Sequence, residues 1–378
     1  MVNNMEKKLI GMVTPHYAAN YGAKVQAFAL AEALRKLGYG IEYINRRPAI
    51  GAYSDPNPVL RQLKKIEEIY NRKYFREFET KYLQPQSAAI YSADEFSNLD
   101  LKRYYGFTIG SDQMWRDNYF RPDFTPVAYL DFAKDYEAKK VAYAVSFGKG
   151  TCVYPEDRRI YLEGLIKKFT AVSVREKSGV EILKDTFDVS NGVWVADPTL
   201  LLSKDEYIRL FHLSQQTSLR NETATYILSD NYKTVGIYTI IGKAIGLPLR
   251  HFLKPKRYRI LYNHYVSRLP FFRRMPSIES WLDTILNAQY FVTDSFHGTV
   301  FAIIFGKQFV TLDNSVGGSE RLTSLLGMLG LQDRLFSYSD SPSVIASKVK
   351  EPIDYDLVYS KLKPFVEHSR KFLEDSFK

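Results

Sequence analysis

Residues 8–44 read KLIGMVTPHYAANYGAKVQAFALAEALRKLGYGIEYI, and this stretch decides the fold class. It begins with a short apolar run at 8–13. Apolar residues then recur with helical spacing over 23–37, and after two glycines residues 41–44 form a second apolar run. The stretch therefore predicts a β-α-β unit, which requires a parallel sheet with a right-handed crossover.

The same alternation continues along the chain. Further strand patterns occupy residues 106–109, 140–144, 171–174, 224–228, 289–293 and 308–312, and residues 193–197, followed by Pro198, mark the end of the first domain. Helical patterns occupy residues 58–82, 234–245, 299–305, 321–329 and 355–377. We therefore predict an α/β protein in which two Rossmann-like domains face each other across a cleft. The predicted domains are residues 1–197 and 198–350, followed by a C-terminal helix at 351–378 that packs back on the first domain.

The composition of the 378 residues narrows the class of protein further. Apolar residues make up 45% and charged residues 25%, which excludes large-scale disorder. The single cysteine, Cys152, excludes an intramolecular disulfide and a cysteine-based zinc site. No apolar run is long enough to span a bilayer, and the first residues lack the pattern of a signal peptide. The sequence therefore predicts a cytosolic protein.

Charge and aromatic content point to an anionic partner. Lysine and arginine outnumber the acids by 52 to 42, and aromatic residues reach 15%. Between residues 250 and 275 no acid occurs, whereas eight cations do: Arg250, Lys254, Lys256, Arg257, Arg259, Arg268, Arg273 and Arg274. Such a segment suits a diphosphate, a layer of lipid headgroups or a nucleic-acid backbone. Together with the basic, aromatic helix pattern at 58–82, it predicts peripheral association with an anionic membrane surface.

A histidine follows the strand pattern at 289–293. The residues Asp294-Ser295-Phe296-His297-Gly298-Thr299 lead directly into an apolar helix. Unpaired N–H groups and the positive end of the dipole favour an anion at a helix N-terminus, where a histidine can also donate a proton. The alternative is that Asp294 or Ser295 caps the helix and His297 packs in the core.

Three further strand ends carry polar side chains. Arg175 ends one strand pattern and offers a fork for carboxylate or phosphate, or else it pairs with Glu176 or is a surface charge. After another strand, Asp112 either orients a substrate hydroxyl or caps a turn, and Trp115 either stacks on a sugar or fills the core. Asn20 and Tyr21 lie at the first strand-to-helix turn, where open α/β sheets bind ligands.

Two other observations bear on the chemistry. Gly317, Gly318 and Arg321 open a helix that could close over an anion. The chain has no phosphate loop of the GxxxxGK[ST] type, no HExxH and no GxGxxG after the first strand. Nucleotide hydrolysis and dinucleotide redox chemistry are therefore disfavoured, and nothing in the sequence requires a metal.

Taken together, these motifs resemble the polysaccharide pyruvyl transferase family. The similarity runs in order through NYGA at 20–23, GSDQMW at 110–115, YAVSFG at 143–148, SVREKSG at 173–179, DPT at 197–199, TDSFHG at 293–298 and the helix at Arg321. It implies a fold similar to GT-B glycosyltransferases. It also implies transfer of pyruvate from phosphoenolpyruvate to a sugar, usually as a cyclic ketal, with phosphate released and no further cofactor.

The resemblance implies Arg175 and His297 as the catalytic pair. The full set of predicted donor-binding residues is Arg175, Ser295, His297, Gly298, Arg321 and Lys254. We predict the acceptor against Asn20, Tyr21, Asp112 and Trp115, and we expect a galactose-type sugar on a polyprenyl diphosphate at the inner face of the plasma membrane. The chain departs from the family where many members have a basic residue before the histidine, since Phe296 stands there.

Two other functions fit parts of the sequence. A glycosyltransferase with a nucleotide-sugar donor could use the same architecture, but it needs a carboxylate for the ribose hydroxyls, and the second half offers no clear candidate. A non-catalytic protein that binds nucleic acid or membrane would explain the basic charge. It would not explain the strand-end histidine, arginine and aspartate, so nucleic acid is not the expected partner.

Overall fold

The computed structural model describes residues 7–47, 58–117, 124–229, 232–253, 274–313 and 319–378. The chain divides into two compact units. The first comprises Met1–Ala49, Glu79–Leu202 and Ser360–Lys378, and the second comprises Ile50–Phe78 and Ser203–Tyr359. No helix among the described residues is both long enough and apolar enough to cross a membrane.

The first unit is built on a parallel sheet with six strands in the described part of the chain. These are β1 (Leu9–Val13), β2 (Gly40–Tyr43), β3 (Gly106–Ile109), β4 (Lys139–Val145), β5 (Ala171–Val174) and β6 (Val193–Trp194). Their spatial order is β2-β1-β3-β4-β5-β6, and every neighbouring pair is parallel.

The second unit has its own parallel sheet, with five strands within the described ranges. These are β7 (Arg220–Tyr226), β8 (Leu249–His251), β9 (Ala288–Thr293), β10 (Gln308–Asp313) and β11 (Leu335–Ser337). Their order is β11-β10-β9-β7-β8. The two sheets confirm the predicted α/β class.

Helices follow most strands, as parallel sheets require. The described helices are α1 (Tyr21–Lys36), α2 (Pro58–Asn71), α3 (Lys73–Tyr82), α4 (Glu156–Ile166), α5 (Lys177–Phe187), α6 (Lys204–Phe211), α7 (Tyr232–Ile245), α8 (Ile278–Asn287), α9 (Phe296–Ile304), α10 (Glu320–Leu329), α11 (Pro342–Lys350) and α12 (Tyr355–Ser376). The helix pattern predicted over 58–82 is thus two helices, because the helix is interrupted at Arg72.

The predicted β-α-β unit is present as β1, α1 and β2. The side chain of Asn20 caps α1 by accepting a hydrogen bond of 3.1 Å from the Ala23 amide. Gly38 follows the helix with a φ of +94°, a left-handed conformation that glycine adopts without steric cost. Cap and stop residues therefore fix both ends of the helix within two residues of the predicted bounds.

Helix α12 packs within the first unit from Ser360 onward. Phe365 lies 4.8 Å from the Trp194 ring, and the Ser369 hydroxyl accepts a hydrogen bond of 2.8 Å from the Ala196 amide. Arg370 donates to the Leu201 carbonyl at 2.8 Å. Residues 365–370 of this helix therefore cover the β6 side of the first sheet.

Candidate functional site

Three strands of the first sheet, β3, β5 and β6, deliver the polar side chains of one cluster to its carboxyl edge. Such edges hold the ligand sites of open α/β sheets. Arg175, after β5, donates to Asp197 at 2.8 Å and lies 3.5 Å from Asp112, which follows β3. The Ser111 hydroxyl donates to the same Asp197 carboxylate at 3.0 Å. The fold thus brings Arg175 and Asp112 together at this edge.

The charge of Arg175 is balanced inside the protein. Its side chain is 1% exposed and faces the Asp197 and Asp112 carboxylates. Burial alone would lower the pKa of Arg175, but the charges of Asp197, Asp112 and Glu176 together raise that pKa above its ordinary value. Arg175 therefore pairs with Asp197 across 22 residues of sequence, whereas pairing with Glu176 was one of the alternatives that the sequence left open.

Glu176 has a different role at the same edge. It accepts hydrogen bonds from the Ser146 hydroxyl at 2.8 Å and from the Gly148 amide at 3.0 Å. Both partners belong to the loop that follows β4. Asp112 sits in that vicinity with a φ of +83°, a conformation that costs a non-glycine residue about 1 kcal/mol or more. Strained residues of this kind cluster at functional sites, which supports Asp112 as a site residue.

Trp115 lies in the core of the first unit. Its side chain is fully buried, and its ring stacks on Tyr129 with centroids 4.9 Å apart. The indole nitrogen donates to the Ala128 carbonyl at 2.8 Å. A ring covered in this way cannot stack on a sugar, so burial supports the core interpretation of Trp115 over the sugar-stacking one.

A buried group of charged residues lies after β1 and was not predicted from the sequence. Lys24, in α1, is fully buried and donates to Glu79 at 2.5 Å and to the His16 carbonyl at 2.6 Å. Arg47 contacts the other Glu79 oxygen at 2.9 Å. Burial, then the charge of Lys24, lowers the pKa of His16 to about 3, so its ring is neutral. The neutral ring donates from Nδ1 to the Thr14 carbonyl.

One feature of the sequence indicates part of this group of charged residues. His16 stands three residues after the end of β1, the same strand-end position that drew attention to Arg175 and Asp112. Glu79 gave no such signal because its contact with Lys24 joins residues 55 positions apart. The neighbouring predicted residues differ in exposure: Asn20 is exposed and caps α1, whereas Tyr21 is buried.

In the second unit, His297 occupies the first turn of α9. Ser295 is the N-cap and accepts from the Gly298 amide at 3.3 Å. The Thr293 hydroxyl donates to the Tyr226 carbonyl at 2.6 Å and accepts from the Ser295 amide at 3.1 Å. His297 is 6% exposed. The structure places Ser295, His297 and Gly298 at a helix N-terminus, and it gives Ser295 the capping role that was the alternative prediction.

Asp294 holds a neighbouring loop against this turn. Its carboxylate accepts from the amides of Leu228 at 2.7 Å and Ser229 at 2.8 Å, at the end of β7. Tyr338 donates to Asp294 at 3.0 Å, and the hydroxyls of Tyr338 and Tyr238 are 2.6 Å apart. Burial, followed by the charge of Asp294, raises the pKa of both tyrosines, which keeps them protonated as donors.

Arg321 brings a positive charge to the same turn. Its guanidinium carbon lies 5.6 Å from the centroid of the Phe296 ring, a cation–π distance. Phe296, which departs from the family pattern, thus contacts a cation that comes from α10. The other predicted donor residue, Lys254, lies outside the described residues, as do Gly317 and Gly318. Among the residues that the structure does describe, no three His, Cys, Asp or Glu side chains are grouped to hold a metal.

Comparisons with known proteins identify the family and the fold. A family model described as polysaccharide pyruvyl transferase matches residues 20–316, more than half of the chain. UDP-GlcNAc 2-epimerase from Neisseria meningitidis, bound to UDP-GlcNAc, has a similar structure with a TM-score of 0.54 at 11% identity. The similarity covers 98% of this chain and 99% of that one.

A second solved structure is similar over the same extent. It is the glycotransferase of kitacinnamycin, with a TM-score of 0.53 at 12% identity, and the match covers 98% of both chains. At such identities the similarity shows the fold alone, and it confirms the predicted likeness to GT-B glycosyltransferases. A search of curated proteins finds no match to the sequence.

Proposed function

Because the chain belongs to the polysaccharide pyruvyl transferase family, we propose that it transfers pyruvate from phosphoenolpyruvate to a sugar and releases phosphate. The acceptor in this proposal is a galactose-type residue of a lipid-linked precursor of a cell-surface polysaccharide, and the product is a cyclic 4,6-ketal. The observation that carries the proposal is the position of His297 in the first turn of α9, where the adjacent Phe296 ring contacts the Arg321 cation.

The charge of the donor fits this turn. Phosphoenolpyruvate carries a carboxylate and a phosphate, so its site needs cations and amide donors. The N-terminus of α9 supplies the positive end of a helix dipole, which favours an anion. Arg321 adds a full positive charge, and Lys254 is a further candidate from the sequence. We therefore assign the donor to the carboxyl edge of the second sheet.

The reaction needs one proton on carbon and one on phosphate. Protonation of the enol CH₂ makes a methyl group and an oxocarbenium-like carbon, to which the first sugar hydroxyl adds. The second hydroxyl then forms its C–O bond to the same carbon as the bond to phosphate breaks. The two hydroxyl protons balance the new C–H bond and the released phosphate. His297 is the proposed acid, because an imidazole can both contact an anion and deliver a proton.

The acceptor side rests on Asp112. Its side chain is 9% exposed, and Arg175 lies behind it at 3.5 Å with 1% exposure. We assign Asp112 to orient an acceptor hydroxyl and Arg175 to hold Asp112 in place. This assignment differs from the donor clamp predicted for Arg175 from the sequence, because two carboxylates already surround the guanidinium.

The test is phosphate release from phosphoenolpyruvate with a panel of aryl and lipid-linked galactosides. We expect release that depends on the acceptor, together with a product heavier than the acceptor by one pyruvate minus water. Calorimetry with phosphoenolpyruvate separates a wrong acceptor from a wrong donor. Binding without release would mean that another sugar is needed. No binding of phosphoenolpyruvate, with binding of a UDP-sugar instead, would replace the proposal by a glycosyltransferase.

A further inference from the structure

Helix α2 presents an apolar stripe to solvent. Val59 is 65% exposed, and Ile66, Ile69 and Tyr70 are between 42% and 48% exposed. Ile66 follows Val59 by seven residues, and Ile69 and Tyr70 follow Ile66 by three and four residues. These spacings place the four side chains on one face of the helix. Elsewhere exposed apolar side chains such as Val153 are ordinary on soluble proteins when they are scattered singly. Four such side chains on one face of a 14-residue helix form an apolar surface that a partner other than water can cover.

Cations flank this stripe. Lys65 lies on α2, and Arg72, Lys73 and Arg76 follow at its end, all exposed. Residues 58–78 contain six basic and three acidic residues in all. Two of the acids pair within the helices, Glu68 with Arg72 at 2.5 Å and Glu77 with Lys73 at 3.5 Å. The segment keeps a net positive charge after these pairs are counted.

A further cation comes from a distant part of the sequence. The Met275 amide donates to the Asn71 carbonyl at 2.9 Å, which fixes the chain beside the end of α2. The guanidinium of the exposed Arg274 lies 4.7 Å from the centroid of the Tyr70 ring. Tyr70 is thus an amphipathic ring between an apolar stripe and a positive charge.

We propose that the α2 stripe, defined as Val59, Ile66, Ile69 and Tyr70, docks in the headgroup layer of an anionic phospholipid bilayer. The combination of an apolar helix face with flanking lysine and arginine is what binds at such an interface, because apolar side chains enter the acyl boundary while cations meet lipid phosphates. Tyrosine suits the same depth, since its ring is apolar and its hydroxyl is polar. This inference is independent of the proposed enzymatic reaction.

The test is sedimentation of the purified protein with vesicles of phosphatidylcholine alone, or of equal parts phosphatidylcholine and phosphatidylglycerol, at low salt. We expect binding to the anionic vesicles and little binding to the neutral ones. The double variant I66S/I69S should lower the partition into anionic vesicles by at least about tenfold, because two apolar side chains no longer leave water. The matched control V153S/I160S removes two exposed apolar side chains of the first unit and should bind like the unchanged protein.

Three outcomes would overturn the proposal. One is failure of the unchanged protein to bind anionic vesicles, and another is full binding by I66S/I69S, which would assign the binding to another basic surface. The third is a dimer in solution that I66S/I69S converts to a monomer, since a second copy would then cover the stripe. Circular dichroism and phosphate release with a water-soluble galactoside should be unchanged in both variants, so a loss of vesicle binding cannot be mistaken for misfolding or for failure of the proposed reaction.

Discussion

The carboxyl edges of the two sheets hold their charges differently. In the first unit, Arg175 is enclosed by Asp197 and Asp112, so cation and carboxylates neutralise each other inside the protein. In the second unit, His297 stands at a helix N-terminus, and Arg321 lies against an aromatic ring. Asp294 there binds backbone amides and tyrosine hydroxyls.

This difference indicates which of the two sheet edges is better suited to bind an anion. A buried ion pair that is complete in itself fixes loops but offers little to a charged substrate, because breaking it exposes a desolvated charge. A helix N-terminus has amide donors that the helix cannot use. We therefore expect changes to the Arg175–Asp197 pair at the first edge to act mainly on stability and changes to His297 at the second edge to act mainly on catalysis.

The largest effect should follow the substitution His297→Gln. Glutamine keeps much of the size and the hydrogen bonding of histidine but cannot transfer a proton, so kcat/KM for pyruvate transfer should fall by about 10²–10⁴-fold. The free energy of unfolding should change by less than about 1 kcal/mol. Steady-state phosphate release and urea unfolding measure the two quantities. A variant that is destabilised and fully active per folded molecule would reverse the contrast between the edges.

The substitution Asp197→Asn should lower the stability of the protein more than its catalytic activity. It removes the carboxylate nearest to the buried Arg175 and leaves the longer contacts to Asp112 at 3.5 Å and to the Ser111 hydroxyl at 3.3 Å. Breaking a buried pair costs about 3–5 kcal/mol. Urea unfolding followed by tryptophan fluorescence in a Trp281→Phe background reports on Trp115 and Trp194, which both belong to the first unit. Asp188→Asn is the control, because Asp188 is exposed in its pair with Lys167 and its loss should leave stability nearly unchanged.

Acid should weaken the first unit through His16. The pKa of His16 is lowered from 6.5 to about 3 in the folded protein, so between these values the unfolded chain binds the extra proton. The contribution of His16 to stability is complete above pH 6.5 and is lost as the pH falls toward 3, with a slope of up to about 1.4 kcal/mol per pH unit. In the variant His16→Gln this part of the slope should disappear. An identical pH dependence in the two proteins would contradict a neutral, buried His16.

The smallest effect should come from Tyr338→Phe in the second unit. The variant removes a hydrogen bond to Tyr238, which contributes about 1 kcal/mol, and one to the Asp294 carboxylate, which contributes about 1.5–3 kcal/mol. Because Asp294 also binds the amides of Leu228 and Ser229, we expect a modest rise in KM for phosphoenolpyruvate with kcat little changed. The variant Tyr161→Phe, an exposed tyrosine of the first unit, should alter neither KM nor kcat. A loss of kcat in Tyr338→Phe equal to that of His297→Gln would place Tyr338 in the chemistry itself.

Local sequence patterns predicted helices and strands well where cap and stop residues mark the ends of these elements. The helix predicted at 23–37 is α1, Tyr21–Lys36, because Asn20 caps it and Gly38 ends it. The strands β8 and β11 escaped prediction because each has three residues, too few to show a period. The second helix boundary near Arg72 was missed because the basic and aromatic pattern runs on across it.

The candidate site was predictable only in part. Ser295, His297 and Gly298 are consecutive or nearly so, and a strand followed by a helix places them together. The partners of Arg175 and Lys24 lie 22 and 55 residues away, so their pairing depends on the order of strands in the sheet. The sequence left two roles open for Trp115, which were stacking on a sugar and filling the core. The structure distinguishes them, because the Trp115 ring stacks on the ring of Tyr129.

The contacts of α12 have a consequence for the order in which the protein can fold during synthesis. The first unit needs residues 360–378, which the ribosome makes after the whole of 203–359. Until then the Trp194 ring lacks Phe365, and the Ala196 amide lacks the Ser369 hydroxyl. A nascent chain can therefore complete the second unit while the first still exposes its β6 side, and a chaperone that recognises that exposed apolar edge would have its longest opportunity in this interval.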